Sequence, residues 1–256
     1  MRFARVACTG AIHAAQPQKL ADGRAGVRLT DGRTLGEEEV VWLPPLEAGT
    51  IIALGLNYAK RAKELAFSTP EEPLVFLKGP AALIGHRGVT RRPAGVKFMH
   101  YECELAVVIG RTARGVRRGE AMTHVAGYCI ANDYAIRDYL ENWYRPNLRV
   151  KSRDGATVLG PWLVDASDVP EPGNLELRTY VNGKLTQQGH TRDMISDVPA
   201  LIEYLSSFMT LTAGDVILTG TPEGAVNVEV GDEVICEIEG LGRLQNTIVA
   251  DALFGR

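Results

Sequence analysis

Short segments in which apolar and polar residues alternate dominate the chain, and this period of two predicts β-strands. Residues 1–45 contain several such segments separated by turn signals, among them Asp31-Gly32. A continuous apolar run over residues 51–56 then predicts a buried strand. Because Pro44-Pro45 interrupts the pattern between them, we expect a small N-terminal β subdomain over residues 1–45 and a main domain over residues 46–256.

Two elements in the second half have specific local signals. In "LELRTYVNGKLTQQGHT", Asn182-Gly183 separates two alternating segments and predicts a hairpin with a two-residue turn. The segment "SDVPALIEYLSSFMTL" predicts a helix capped by Ser196 or Asp197, with Pro199 in its first turn. The apolar stripe predicted for the buried side of this helix consists of Leu201, Ile202, Leu205 and Phe208.

Strands outnumber helices in the rest of the pattern. A helix is predicted in "NYAKRAKELAF", and strands are predicted in "PLVFLKG", in "CELAVVIG", over residues 125–131, in "DVILTG" and in a closing hairpin, "GDEVICEIEGLGRLQNTIV". Most connections resemble hairpins rather than helical crossovers. The predicted fold class is therefore α+β and mostly β, not a doubly wound α/β sheet.

Composition and charge exclude several classes of protein. With 256 residues, 45% of them hydrophobic, the chain can form one large domain or a domain with a small appendage. A net charge of -3 provides no basic field for nucleic acid or an anionic membrane. Since no apolar run approaches the roughly 20 residues of a membrane span and the N-terminal segment has no long apolar region, we expect a cytoplasmic protein. The four scattered cysteines are expected to be free thiols, mostly buried.

Candidate chemistry is concentrated in "HYECELAVVIG", residues 100–110. Residues i and i+2 of a strand face the same way, so Glu102 and Glu104 should share one face and Cys103 the other. A third acid, Asp133, ends the apolar segment "VAGYCIAND". Carboxylates at the ends of adjacent buried strands can converge, and three of them suit a hard divalent ion, Mg²⁺ or Mn²⁺, with Ca²⁺ as a further option.

A solvated face is the alternative interpretation of these acids, and for an arbitrary pair of glutamates in a strand it is the more common one. Two observations favour the metal site instead. The strand continues as "LAVVIG", apolar on both faces as in a central strand, and Asp133 supplies a third ligand.

Cations follow the third acid in "NDYAIRDYLENWYRPNLRVKSRDG", namely Arg137, Arg145, Arg149, Lys151 and Arg153. They form either a solvated loop or a cationic wall that would hold an anionic substrate. The loop "TGTPEG" offers close backbone N–H groups and the Thr221 hydroxyl, or is simply a strand-ending turn. His100 lies two residues before Glu102 and is either a proton carrier or a hydrogen-bonded structural residue.

Together these motifs resemble the fumarylacetoacetate hydrolase family. The matching pieces are "GLNYAKRAKEL", "PLVFLKGP", "HYECELAVVIG", "GYCIANDYAIRD", "RVKSRDG", "YVNGKLTQQGHT" and "LTGTPEGA", in family order from about residue 50 onward. The resemblance implies a mixed β-roll with a small N-terminal subdomain, found as a homodimer or higher homo-oligomer. It also implies a divalent metal, Mg²⁺ by expectation, on Glu102, Glu104 and Asp133, and a 2-oxo carboxylate substrate.

Further site residues follow from the same resemblance. Lys151 is expected to be catalytic, and Glu64 and His100 are candidates for proton transfer. Substrate contacts are expected from Arg137, Lys151, Thr221, Arg145 (or Arg149), Asn57, Tyr58 and Lys78. The "NDYAIRDYLENWYRPNLRVKSRDG" segment most resembles the branch that decarboxylates 5-oxopent-3-ene-1,2,5-tricarboxylate and isomerises 2-hydroxyhepta-2,4-dienedioate in 4-hydroxyphenylacetate (homoprotocatechuate) catabolism.

One position departs from the family pattern. Arg61 stands where family members commonly carry a histidine three residues before the glutamate that is Glu64 here. Arginine stays protonated and is no general base, so water-dependent C–C hydrolysis is disfavoured. Acylpyruvate hydrolysis and oxaloacetate decarboxylation remain alternatives within the family. A third alternative is a non-catalytic partner subunit of a two-part enzyme, since enzymes of this branch can join two related halves in one chain.

Overall fold

The structure is a computed structural model that describes residues 1–68, 70–140 and 148–251. Its helices are α1 (Ala59–Glu64), α2 (Leu148–Lys151) and α3 (Val198–Phe208). Its strands are β1 (Arg2–Cys8), β2 (Ala11–Lys19), β3 (Ala25–Leu29), β4 (Thr34–Gly36), β5 (Val41–Leu43), β6 (Ile51–Gly55), β7 (Leu74–Lys78), β8 (Leu83–Ile84), β9 (Val89–Arg92), β10 (Met99–His100), β11 (Cys103–Ile109), β12 (Val125–Asp133), β13 (Ala135–Ile136), β14 (Thr157–Asp165), β15 (Glu176–Val181), β16 (Lys184–His190), β17 (Val216–Leu218), β18 (Glu233–Ile238) and β19 (Gly242–Ala250). The α+β, mostly β prediction is confirmed.

Two sheets build the body of the described chain. The larger, with twelve strands, runs in the order β4-β3-β2-β1-β14-β12-β11-β17-β6-β7, with β5 added beside β1 and β8 beside β14. It is mixed, because β17 pairs parallel to β6 and β8 parallel to β14, whereas β11 and β12 pair antiparallel. The smaller sheet has the order β16-β15-β18-β19-β9. Contacts of β11, β12 and β14 with β15, β18 and β19 pack the two sheets together.

The central strand β11 separates two apolar clusters by simple alternation. Leu105 and Val107 belong to the large core that also contains Val234 and Ile238 of the smaller sheet. Ala106 and Val108 belong to a second cluster on the opposite face of the larger sheet. Every residue of β11 is buried, as predicted for a strand between two neighbours.

The predicted hairpin and helix are both present. Val181 pairs with Lys184 across Asn182 and Gly183, which have φ values of 50° and 77°, so both turn residues adopt the left-handed conformation of a two-residue hairpin turn. Helix α3 begins after Asp197, whose side chain accepts the backbone N–H of Ala200 at 3.0 Å.

The predicted buried stripe of α3 is right for three of its four residues. Leu201, Ile202 and Leu205 are fully buried, but Phe208 is 54% exposed, and the prediction for this residue is wrong. Phe208 lies in the last turn, where the helix is leaving the core, and its ring packs edge-on against Tyr204 instead.

The N-terminal strands continue the larger sheet. Arg2 and Phe3 of β1 pair with Val164 and Leu163 of β14, and β2, β3 and β4 extend outward from there. Strand β1 therefore shares a hydrogen-bonded sheet with the rest of the chain. The division into residues 1–45 and 46–256 stays a prediction.

The expected thiol state agrees with the structure. Cys103, Cys129 and Cys236 are free and buried, and Cys8 is free and half-buried. Within the described ranges, no helix is both long and apolar enough to cross a lipid bilayer.

A buried histidine away from the acidic residues gives a pH-dependent stability. His86 accepts the backbone N–H of Gln245 on Nδ1 at 3.1 Å and packs edge-on against Trp42. Burial, followed by the charge of Arg87, lowers the pKa of His86 from 6.5 to about 3. In the unfolded chain this histidine binds a proton near pH 6.5, whereas in the folded chain it stays neutral down to about pH 3. The free energy of unfolding therefore keeps its full contribution from His86 above pH 6.5 and falls as the pH drops toward 3.

We expect the free energy of unfolding to fall by about 2 kcal/mol more in the parent protein than in His86→Asn when the pH is lowered from 7.5 to 5. The asparagine oxygen can accept the same backbone N–H but does not titrate. Urea unfolding curves of both proteins at both pH values measure this difference. Equal losses in the two proteins would contradict a neutral, buried His86.

Candidate active site

Three carboxylates meet where β11 begins and β12 ends. Glu104 lies in β11 and Glu102 just before it, while Asp133 is the last residue of β12. The Asp133 backbone N–H donates to the Glu102 carbonyl oxygen at 2.9 Å and holds the two strand ends in register. One oxygen from each carboxylate lies within 4.8 Å of the others. The convergence expected from the strand pattern is present. Cys103 points to the opposite face, where it belongs to the large hydrophobic core.

Asp133 is fully enclosed by cations and a hydroxyl. Its Oδ1 contacts Lys78 Nζ at 2.7 Å and accepts the Thr157 hydroxyl at 3.0 Å, and its Oδ2 accepts Lys151 Nζ at 3.0 Å. Burial acts to raise the pKa of Asp133, but the ammonium groups of Lys151 and Lys78 outweigh it and lower the pKa below its usual value. Asp133 is therefore ionised.

Glu104 is in a different electrostatic position. It is 1% exposed and accepts the Gly220 backbone N–H at 2.7 Å, but no lysine or arginine of the described chain pairs with it. Burial, followed by the charges of Asp133 and Glu102, raises the pKa of Glu104 well above its usual value. An ionised Glu104 thus requires one more cation at this point.

The donor set fits a divalent ion at the three carboxylates. All three groups supply oxygen, and the cluster includes no histidine or cysteine, which suits Mg²⁺ or Mn²⁺ better than zinc. The cation that Glu104 lacks would be that ion.

Lys151 joins the acidic cluster to the cavity beside it. Its ammonium group contacts Glu102 Oε2 and Asp133 Oδ2 together. Burial tends to lower the pKa of Lys151, but the charges of Asp133, Glu102 and Glu104 raise it, so Lys151 stays protonated. Lys78 lies deeper, with a fully buried side chain that also donates to the Lys151 carbonyl oxygen. Burial lowers the pKa of Lys78, although the charge of Asp133 opposes this.

A cavity of about 470 Å³ opens over these groups. Glu102, Lys151, Arg137 and Thr221 line its polar part. Arg137 lies over the Phe98 ring, with Cζ 5.3 Å from the centroid, and the Thr221 hydroxyl accepts a hydrogen bond from Gln187 at 3.1 Å. The expected substrate contacts Arg137, Lys151 and Thr221 thus face one cavity. Their binding roles stay predictions.

The apolar wall of the cavity was not predicted from the sequence. It consists of Leu54, Leu56, Leu65, Phe67, Leu74, Phe76, Leu140 and Val150. Leu54, Leu74 and Phe76 come from the paired strands β6 and β7, Val150 comes from α2, and the others come from segments outside the named helices and strands, so the local sequence does not show that they meet. The wall implies a ligand with a hydrocarbon portion.

Arg61 also lines the cavity, which its place in a helix of charged residues did not indicate. Its guanidinium pairs with Glu64 Oε2, and the other oxygen of Glu64 accepts the Gly224 backbone N–H at 3.2 Å. Glu64 therefore ties α1 to the glycine-rich loop. Glu64 itself is 39% exposed, and its expected part in proton transfer is untested.

His100 lies beside Glu102, with Nδ1 3.6 Å from Oε1 and 3.2 Å from the Tyr101 carbonyl oxygen. Burial lowers the pKa of His100 to about 4, against the charge of Glu102, so the ring is neutral at pH 7. The histidine shares the side of the chain that carries Glu102, as the strand spacing predicted. A proton-transfer role for it stays a prediction.

The remaining expected substrate contacts, including the buried Lys78, lie outside the cavity wall or outside the described residues. Asn57 donates to the carbonyl oxygens of Ser196 and Thr219 and accepts the Ser196 N–H, so it braces the turn between β6 and α1. Tyr58 is 1% exposed, and within the described chain its hydroxyl has no hydrogen-bond partner. Arg145 lies outside the described residues, and the guanidinium of Arg149 stacks 3.9 Å from the centroid of the half-buried Tyr139 ring.

The chain is similar in sequence to known proteins. Residues 50–249 match the family described as Fumarylacetoacetate (FAA) hydrolase C-terminal. The 4-hydroxyphenylacetate degradation bifunctional isomerase/decarboxylase of Salmonella dublin is 61% identical over 208 residues, which are 81% of this chain and 48% of that protein. The chain thus spans about half the length of the curated relatives that it matches at this level.

Solved structures share the fold. A 2-hydroxyhepta-2,4-diene-1,7-dioate isomerase from Mycobacterium marinum is 36% identical with a TM-score of 0.83, and the match covers 98% of this chain and 99% of that one. A fumarylpyruvate hydrolase from Pseudomonas aeruginosa, solved in complex with Mn²⁺ and pyruvate, is 31% identical with a TM-score of 0.76, covering 82% and 92% of the two chains. The fold implied by the sequence motifs is confirmed.

Proposed function

The chain belongs to the fumarylacetoacetate hydrolase family, and from that premise we propose that it is a divalent-metal-dependent decarboxylase and isomerase of an unsaturated 2-oxo di- or tricarboxylate in 4-hydroxyphenylacetate catabolism. One observation carries the proposal. The buried carboxylates of Glu104 and Asp133 and the half-buried one of Glu102 lie with Lys151 at the polar end of a cavity whose other walls are apolar. Such a site can bind a charged 2-oxo acid and a hydrocarbon chain at once.

Glu102, Glu104 and Asp133 would hold the metal, with Mg²⁺ as the proposed native ion. When bound, a divalent ion polarises the keto oxygen of a 2-oxo acid as a Lewis acid. The Mn²⁺ and pyruvate in the fumarylpyruvate hydrolase complex support both the ion class and the ligand class.

The residues of the chain would act on the charge that decarboxylation develops. In 5-oxopent-3-ene-1,2,5-tricarboxylate the bond to the departing carboxylate breaks, CO₂ leaves, and the electron pair passes through the conjugated chain to the keto oxygen. Lys151 and Arg137 would stabilise that oxygen's negative charge, and Thr221 would orient the substrate carboxylate. Isomerisation then needs one proton at carbon, which water would supply, directly or relayed by Glu64 or His100. No step requires a strong base at position 61.

The decisive experiment separates the reactions of the family. Purified protein with Mg²⁺ is supplied separately with 5-oxopent-3-ene-1,2,5-tricarboxylate, oxaloacetate and an acylpyruvate. The assay measures released CO₂ and the two carboxylic acids that C–C hydrolysis would produce. We expect CO₂ from the tricarboxylate, followed by the absorbance change of dienol isomerisation. Hydrolysis of the acylpyruvate to two acids, or CO₂ release from oxaloacetate but not from the tricarboxylate, would contradict the proposal and identify the alternative activity.

A second candidate follows from the length of the chain. Because it spans about half the length of its bifunctional isomerase/decarboxylase relatives, it can be one part of a two-part enzyme in which the other part carries the chemistry. Absence of turnover by the chain alone, with activity restored on adding a related companion chain, would support this alternative. We otherwise propose that the chain assembles with copies of itself, which sedimentation velocity measures directly.

A further inference from the structure

Arg61 is a buried cation with an open hydrogen-bonding nitrogen. Its side chain is 4% exposed, and one guanidinium nitrogen, Nη1, pairs with Glu64. The other, Nη2, is enclosed, and within the described chain it has no hydrogen-bond partner. Glu102 Oε1 lies 4.0 Å from this nitrogen, too far for a hydrogen bond. A buried guanidinium N–H without an acceptor is unfavourable, so this nitrogen should acquire an acceptor when the site is occupied.

Arg137 faces the same cavity and is close enough to feel the charge of Arg61. Burial, followed by the charge of Arg61, lowers the pKa of Arg137. Among the described residues, Arg137 forms no ion pair, and its guanidinium lies over the face of the Phe98 ring. Two arginines that repel each other across a cavity would both be stabilised by an anion between them.

The other cations of the site already have anionic partners. Lys78 pairs with Asp133, and Lys151 pairs with both Glu102 and Asp133. In the described part of the chain, the interacting acids Glu64, Glu102, Glu104 and Asp133 are therefore matched by the bases Arg61, Lys78, Arg137 and Lys151. A divalent ion at the carboxylates would leave an excess of two positive charges, which a dianionic ligand would neutralise.

We propose that Arg61 binds a second carboxylate of the substrate, one that is not part of the 2-oxo acid end, and that Arg61 thereby sets the specificity of the site for dicarboxylates. The inference rests on the proposed function for the nature of the substrate. The planar guanidinium matches a carboxylate with two N–H groups, and Glu64 holds its orientation. A residue that cannot serve as a base is thus given a binding role.

The test compares ligands that differ in one carboxylate. The pairs are 2-oxoheptanedioate with 2-oxoheptanoate and 2-oxopentanedioate with 2-oxopentanoate, titrated calorimetrically into Mn²⁺-saturated protein. We expect the parent protein to bind at least one dicarboxylate about tenfold or more tightly than its monocarboxylate partner. In Arg61→Met that ratio should fall to near one, with the monocarboxylate Kd unchanged. Arg61→Lys, which keeps the charge without the planar fork, should retain part of the ratio.

Lys63→Met is the matched control, because it removes a positive charge from the same helix at an exposed position. It should leave the ratio unchanged. Mn²⁺ affinity and the melting temperature of each variant are measured separately to show that the carboxylate cluster and the fold persist. If Arg61→Met misfolds, the Arg61→Lys variant decides. A full parental ratio in that variant would contradict a contact between the planar guanidinium and the second carboxylate, and a reduced ratio would support it.

Two results would overturn the proposal. An unchanged ratio in Arg61→Met would show that the second carboxylate is bound elsewhere, and equal weakening of both acids would place Arg61 at the 2-oxo acid end. Either result is compatible with CO₂ release from the tricarboxylate, so the proposed function would stand. If the parent protein binds none of the four acids in the presence of Mn²⁺, the carboxylate site and the proposed function both fail.

Discussion

Glu104→Gln is expected to weaken Mn²⁺ binding by about 100-fold or more and to reduce CO₂ release by about 1000-fold. The substitution replaces a charged ligand with a neutral amide of nearly the same shape. The amide oxygen can still accept the Gly220 N–H, so the local fold should persist. Mn²⁺ affinity is measured by titration followed by electron paramagnetic resonance, and CO₂ release is measured with Mn²⁺ at saturation.

The same variant separates a metal ligand from a structural acid. Without metal, Glu104 is a buried carboxylate with no cationic partner in the described chain, so its neutral replacement should leave the metal-free melting temperature unchanged or higher. Glu171→Gln, at an exposed position, is the control and should change neither quantity. Parental Mn²⁺ affinity in Glu104→Gln, or a lower metal-free melting temperature, would contradict the assignment.

Lys151→Met is expected to lower kcat by about 100- to 1000-fold while changing the Kd of a 2-oxo acid much less. Lys151 contacts Glu102 and Asp133 and lines the cavity, so its charge is placed to stabilise the negative charge that develops during decarboxylation. Methionine preserves most of the side-chain length and removes only the ammonium group. Steady-state kinetics and calorimetric binding of the same ligand provide the two quantities.

Metal dependence distinguishes this role from simple structural support. Removing Lys151 leaves Glu102 with the more distant Arg61, 4.0 Å away, and Asp133 with Lys78, so the metal-free protein should lose about 3 kcal/mol of stability. A divalent ion at the carboxylates should restore much of that loss, but it should not restore kcat. Lys184→Met, in the exposed hairpin, is the control. Recovery of parental kcat on adding metal would show that Lys151 acts only as a substitute cation.

The parts of the site that depend on one strand were predictable. The i, i+2 spacing of Glu102 and Glu104 needs only the pleat of β11, and the position of Asp133 needs only the end of β12. Their meeting required the antiparallel pairing of the two strands, which the apolar runs suggested and the register confirms, with Glu104 opposite Ala131.

The parts that depend on distant segments were not predictable. Gly220 reaches Glu104 because β17 lies beside β11, and nothing in the local sequence states that neighbour. Arg61 lies in a six-residue helix of mostly charged residues, where the usual expectation is exposure, and only its alignment with a family histidine indicated that it would lie at the site. Phe208 shows the converse error, because a periodic pattern does not mark the turn at which a helix leaves the core.

The alternation of β11 has a consequence for sequence divergence. Leu105 and Val107 join the two sheets, whereas Glu104 carries the candidate chemistry on the other face. Each face can therefore drift among residues of its own kind without disturbing the other. A single-residue insertion or deletion within the strand would exchange the faces and move a carboxylate into the inter-sheet core. Natural variants should accordingly show apolar exchanges at positions 105 and 107 but an invariant spacing from Glu102 to Ile109.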